Sequence, residues 1–209
     1  MNELDIPEIE ALMDEGEPVC VSFEKEVEGE TSDLLYCEMI ERARHGESFL
    51  VSTQRCPAGA YVLGKTDIPP HEYYLRSGRY IDEEAAIKAS STLPRIEKEY
   101  SAIRIEPLSR SQGKFDVLFL YLTPERAMRL VQALAYSSGE RVAMETIGAA
   151  SICADCTALP LSEGIGLSFG CKGSRKHSEY RDSEVPLGIG YEMIEKIELG
   201  LESIPETRD

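Results

Sequence analysis

Three of the chain's six cysteines, Cys153, Cys156 and Cys171, fall in the stretch SICADCTALPLSEGIGLSFGCKGSRKH, residues 151–177. A thiolate ligates soft metals and attacks electrophiles, and a neutral thiol does neither well. Cys153 and Cys156 form a C-x-x-C, the spacing of a redox pair or of half a metal site. A zinc knuckle would need a second such pair or an H-x-x-H, and the sequence has neither. Cys37, Cys56 and Cys171 stand singly, yet single cysteines can converge in space on a four-thiolate iron–sulfur site. Cys37, Cys56, Cys153 and Cys171 are therefore the candidate ligands for an iron–sulfur cluster or another thiophilic metal. Cys56 in QRCPAGAYVLG and Cys153 in SICADCTALPL each stand where a short helix begins. Orphan N–H groups and the helix dipole favour thiolate there. Both should alkylate faster at neutral pH than Cys20, which lies mid-strand in VCVSF. Two further readings use the same residues. In one, Cys153 is the nucleophile of a thiol enzyme, supported by Asp155 and His177. In the other, the cysteines are core residues of a small-molecule binding module, since free cysteine is among the most buried residue types.

The end of the same stretch suggests an anion site. Glycines 164, 166, 170 and 173 allow close backbone approach, and Lys172, Arg175, Lys176 and His177 bring positive charge. The P-loop pattern is absent. Arg175 can fork onto a phosphate or carboxylate and Lys172 can add a point charge, so a small anionic molecule is the expected partner. The competing reading is a solvated basic turn. A second basic, glycine-containing element is RSGRY at 76–80. The three histidines, His45, His71 and His177, are not spaced as a metal motif.

The elements that must position these residues follow from periodicity. IPEIEALMDEG and TSDLLYCEMIERARHGE have helical spacing, the second with Ser32 as its expected N-cap. EPVCVSFEKE and SFLVSTQRC read as strands, and PAGAYVLG as a short helix with Pro57 at its first position. A tyrosine-rich stretch follows around HEYYLRSGRY, then a helix at 82–90 and a strand near 101–107. FDVLFLYLT is a strongly apolar strand, PERAMRLVQALAYSSGE a helix, and RVAMETIGAASIC a strand running into a turn. A short helix starts in ADCTALPLSEG. VPLGIGYEMIEKIELGLESI closes the chain as a turn or strand and then a helix. A strand–helix–strand–Cys–helix unit thus occurs at 18–64 and again at 116–160, which suggests a duplication. The expected fold is α/β or α+β, with residues 1–209 as a single domain.

A 209-residue chain buries roughly 70% of its unfolded surface and needs no staple to hold a core. Its net charge of −16 argues against nucleic acid and anionic membrane as partners. No stretch has the ~20 apolar residues of a membrane span, and the acidic N-terminus does not read as a signal peptide. The expected compartment is the reducing cytoplasm, where six cysteines read as thiols or ligands.

Together YCEMIERARHGE, CPAGAYVLG, SGRY with AAIKASSTLPRI, AMRLVQALAYSSGERV, GAASICADCTALPL and CKGSRK resemble the uncharacterised family called domain of unknown function 169, found in archaea and anaerobic bacteria. The resemblance covers nearly the whole chain. It implies that Cys37, Cys56, Cys153, Asp155, Cys171 and Arg175 sit in family motifs, and it implies no particular activity. Cys20 and Cys156 are less typical of the pattern, which counts against a C-x-x-C redox pair.

Overall fold

In the computed structural model, which describes residues 4–26 and 28–205, six strands form one sheet. They are β1 (Val19–Glu24), β2 (Phe49–Val51), β3 (Ala102–Pro107), β4 (Val117–Leu122), β5 (Ile165–Leu167) and β6 (Val185–Gly190). Their order is β2-β3-β1-β4-β6-β5, and every neighbouring pair is antiparallel. The fold is a mixed α/β single domain, as expected, with the sheet wholly antiparallel.

Period 2 sorts the strand side chains between two cores. Val117, Phe119 and Tyr121 of β4 join one apolar cluster, and Leu118, Leu120 and Leu122 join the other. The second cluster is covered by α1 (Pro7–Glu10), α6 (Pro124–Tyr136) and α9 (Ile194–Ser203). Over the first lie α2 (Tyr36–Ala43), α3 (Pro57–Val62), α4 (His71–Arg76) and α5 (Glu83–Ser91), while α7 (Leu159–Glu163) packs on β5 and β6 and α8 (Lys172–His177) against α2. A π-helical turn, Ala154–Ala158, runs into α7 on that same face. Among the described residues, no helix is long and apolar enough to cross a membrane.

Local rules account for most element starts. Pro57 and Pro124 take the first helical positions of α3 and α6. Asp82 caps α5 by accepting from the Ala85 N–H at 2.8 Å. Ser32 does not cap α2. Its hydroxyl accepts from the Leu34 N–H at 3.2 Å, and α2 begins only at Tyr36. The expected strand in RVAMETIGAASIC is also absent. Val142 and Met144 pack against the α6–α9 core, so the apolar alternation is used in side-chain packing rather than ladder pairing.

Each half of the chain lays its strands down in the same way. The first strand (β1 or β4) sits at the sheet centre, the second (β2 or β5) at the edge, and the third (β3 or β6) between them. The position of the cysteine helix differs between the halves. Cys56 follows the edge strand β2, whereas Cys153 precedes the edge strand β5. The common feature is therefore the strand layout, not the strand–helix–strand–Cys–helix order expected for 18–64 and 116–160.

Candidate functional site

The site begins with a strip of glycines. On β6, Val185, Leu187 and Ile189 face α6 and α9, and Pro186, Gly188 and Gly190 face the other way. Gly166 of β5 pairs with Gly188. A Cβ on Gly188 would lie 2.0 Å from the Cys156 carbonyl oxygen, and one on Gly166 would lie 1.8 Å from that of Asp155. Glycine here lets the backbone of the π-turn rest directly on the sheet. The turn has the long-range hydrogen bonds of a π-helix: Cys156 N–H to Ser151 O at 3.0 Å and Ala158 N–H to Cys153 O at 3.0 Å. Ala150, just before it, is left-handed with φ 54°. The Tyr36 hydroxyl of α2 lies 3.1 Å from the Thr157 hydroxyl and ties the turn to the next helix.

Four thiols from four separate elements lie on this face of the sheet, within range of one another's charge. Cys37 is the second residue of α2, Cys56 precedes α3, Cys153 precedes the π-turn, and Cys171 caps α8. Each lies close enough to the others for their charges to interact. Burial pushes Cys153 well up, and thiolates at Cys56, Cys171 and Cys37 would push it further. Burial likewise pushes Cys37 up to about 12, with Cys171 and Cys56 adding to the rise. Cys56 is also raised, chiefly by burial, although the Gly59 N–H and Arg79 oppose this. For Cys56 and Cys153, desolvation thus outweighs the position before a helix. Cys171 goes the other way. Burial alone would raise it, but hydrogen bonds from Ser174 and Ser151 hold it below the ordinary thiol value. The Ser174 N–H donates to the Cys171 sulfur at 3.4 Å, and the Cys171 N–H donates to the Ser174 hydroxyl at 3.0 Å. In metal-free protein, Cys171 is therefore expected to alkylate first, with Cys153, Cys156 and Cys20 last. Mass-spectrometric mapping of iodoacetamide labelling at pH 7–8 checks the order, and fastest labelling at Cys153 would contradict it.

Unpartnered polar groups surround the thiols. Tyr74 is 0% exposed, and its hydroxyl has no hydrogen-bond partner among the described residues. Cys153, Tyr80, Cys56 and Cys171 all lie within charge range of it. The Tyr80 hydroxyl and Gln54 Nε2 are also buried without partners. Gln54 is fixed by its other end, since Oε1 accepts from the Cys56 N–H at 3.2 Å. Tyr74, Tyr80 and Gln54 were not expected from the sequence, where only a tyrosine-rich stretch marked their region. All six cysteines are free thiols. Among the described residues, no group of three or more His, Cys, Asp or Glu side chains is arranged to hold a metal ion.

The other expected site residues lie elsewhere or are already engaged. The C-x-x-C thiols diverge: Cys153 donates to Ala150 O at 3.2 Å and Cys156 to Pro186 O at 3.3 Å. Asp155 is buried and accepts from Thr146 at 2.6 Å and Ser168 at 2.7 Å. His177 is exposed at the end of α8. Neither makes a hydrogen bond to Cys153 among the described residues, so the structure does not bring the nucleophile and its two expected supports together. Arg175 is engaged within the fold. Its guanidinium donates to Phe169 O at 2.8 and 3.1 Å, Arg181 O at 3.1 Å and Glu184 O at 3.1 Å, and it stacks on Tyr180 at 4.4 Å. Lys172 and Lys176 point to solvent. Arg175 ties the segments before and after α8 together. Cys20 lies in the opposite core, where burial pushes it up to about 12. An open cleft of about 1500 Å³ is also on that side, lined by Glu106, Arg110, Lys114, Phe115 and Tyr191 among others, and none of its lining residues is a cysteine.

The fold defines a class: an α+β domain with helices on both faces of one six-stranded antiparallel sheet. The chain belongs to domain of unknown function 169 (DUF169), described as Uncharacterised ArCR, whose family model matches residues 9–200. It is similar to "Uncharacterized protein MJ0308" of Methanocaldococcus jannaschii, with 33% identity over 171 residues, covering 78% of this chain and 73% of that protein. No solved structure matches the chain.

Proposed function

We propose that Cys37, Cys56, Cys153 and Cys171 bind an iron–sulfur cluster or a comparable thiophilic metal centre. The observation that carries this reading is convergence: residues spread over 135 positions of sequence, on four elements, bring their thiols into charge range of one another. A purely apolar core would not need so many cysteines on one face of the sheet. In the described residues the set is gathered rather than closed, and binding would draw the sulfurs together as they lose their protons. The low-lying Cys171 would be the first thiolate available to capture metal. The cytoplasm belongs to the same proposal, because unpaired thiols stay competent as ligands where disulfides do not form.

Anaerobic purification followed by iron, sulfide and zinc analysis tests this. Wild-type protein is expected to retain metal. Each of Cys37→Ser, Cys56→Ser, Cys153→Ser and Cys171→Ser is expected to lower affinity at least about tenfold, by analogy with the loss seen when mere supporting groups of metal sites are removed. Cys20→Ser is expected to bind as wild type does. Equal retention by all five variants, or none by the wild type after reconstitution with iron and sulfide, would overturn the reading. A thiol enzyme would need a nucleophile whose thiolate is favoured, and Cys171 suits that role before Cys153.

A further inference from the structure

We infer that the Tyr74 hydroxyl is a hydrogen-bond donor to sulfur of the loaded site, assisted by Gln54 Nε2, so that neutral dipoles balance the negative charge of a sulfur-ligated centre. This rests on the four-thiol reading and adds what the protein does for the centre once it is bound. Four thiolates carry four negative charges, and the metal ions that soft thiolates favour leave part of that charge uncompensated. Burying such a centre requires donors aimed at its sulfurs. Arg79 is the cation in charge range of Cys56, but its guanidinium is held by the Tyr73 hydroxyl at 2.9 Å, over the Tyr73 ring at 4.6 Å, and by Ser77.

The donors that remain are neutral. Tyr74 is fully buried, and its hydroxyl has no partner among the described residues, an arrangement that is costly unless something else accepts its proton. It is packed in one cluster with Cys153, Cys37 and Cys56, and its ring lies edge-on to Tyr80 at 5.5 Å. Neutral thiols are weak acceptors, and thiolates and sulfides are strong ones. The hydroxyl is therefore orphaned while the thiols keep their protons and satisfied when they lose them to a metal. Gln54 has the same character. Its Oε1 is taken by the Cys56 N–H, which leaves Nε2 as a buried donor without a partner. Its Cγ and the Cys153 sulfur both border Gly59, at 3.2 and 3.8 Å from where a Cβ would stand. Gln54 therefore sits beside Cys56 and on the same side of Gly59 as the Cys153 sulfur.

The test is Tyr74→Phe, which removes one oxygen and leaves the packing. In metal-free protein the variant should melt at the wild-type temperature or higher, because an unpartnered hydroxyl has been removed. Loaded with zinc, it should show roughly tenfold weaker binding in competition with a chelator. Loaded with iron and sulfide, it should have a more negative reduction potential, because a hydrogen bond that stabilised the reduced centre is gone. If Tyr74→Phe binds zinc as tightly and holds the wild-type potential, the inference is wrong while the four-thiol site stands. A lower melting temperature of the metal-free variant would also sink it, by showing that the hydroxyl already has a partner in the fold. If wild-type protein binds neither zinc nor a cluster, the four-thiol reading fails and takes this inference with it.

Discussion

Gly188→Ala should cost at least about 3 kcal/mol of folding stability, the upper part of the range for overpacking a well-filled interior. The reason is local and severe. The new methyl would stand 2.0 Å from the Cys156 carbonyl oxygen, 2.7 Å from its carbon and 2.9 Å from Pro160 Cγ. These are backbone and ring atoms, so no side-chain rotation relieves the clash. The π-turn must lift from the sheet, and it carries Cys153 with it. A domain of this size has only about 5–15 kcal/mol in total, so the loss is a large share. Metal retention should fall together with stability, because Cys153 is displaced from its three partners. Gly173→Ala is the control. Its Cβ would meet only the Cys171 sulfur at 3.6 Å, an ordinary contact, and its φ is not positive. Alanine inside α8 should be neutral or slightly stabilising. Urea denaturation of both variants measures the difference. A Gly188→Ala protein as stable as wild type would mean that the turn does not rest on β6.

The second large effect belongs to Arg44 and Glu184, which are each 2% exposed. The guanidinium donates twice to the carboxylate, at 2.9 and 3.1 Å, and Glu184 also accepts from the Arg181 N–H at 2.7 Å. Arg44 ends α2, the helix of Cys37. The Glu184 carbonyl accepts from Arg175 of α8, next to Cys171. The pair thus fastens two of the four thiol-bearing elements. Glu184→Ala would leave the buried guanidinium only Glu15, whose carbonyl accepts at 3.2 Å and whose carboxylate lies at 4.0 Å, and should cost about 3 kcal/mol, the lower end for breaking a buried pair. An Arg44→Met, Glu184→Met double variant should lose much less, because no charge is left unpaired. The pH dependence has a definite sign. Burial alone would raise the Glu184 carboxyl, but the Arg44 hydrogen bonds hold it below its ordinary value. Its contribution is therefore present above the usual carboxylate range and is lost as pH falls below it. Thermal melts from pH 7 to pH 3 should show Glu184→Ala converging on wild type at the acid end. A constant gap across that range would contradict the assignment.

Much of this was legible from residue patterns, and the failures have particular causes. The apolar period of β4, the proline starts of α3 and α6 and the Asp82 cap are local signals, and the structure keeps them. The alternation in RVAMETIGAASIC is as regular as that of a strand. Periodicity reports which side chains are buried, and it does not report whether the backbone has a neighbour to pair with. For Arg175 the sequence shows charge but not the four hydrogen bonds it gives to the carbonyls of Phe169, Arg181 and Glu184. Cys56 and Cys153 stand before helices as read, yet burial governs their protonation, and burial is a tertiary property. One signal was present and passed over. In VPLGIG the glycines alternate with large apolar residues, which in a strand marks one face approached closely by another backbone. Tyr74 carried no such mark, because an orphaned hydroxyl exists only in three dimensions.

The central claim is that four thiols from four elements make one metal site. It is tested most directly by crystals of anaerobically reconstituted protein measured at the iron absorption edge. The account predicts anomalous density enclosed by the sulfurs of Cys37, Cys56, Cys153 and Cys171, with the Tyr74 hydroxyl turned toward it. Iron bound elsewhere, or held by fewer than three of these cysteines, would contradict it.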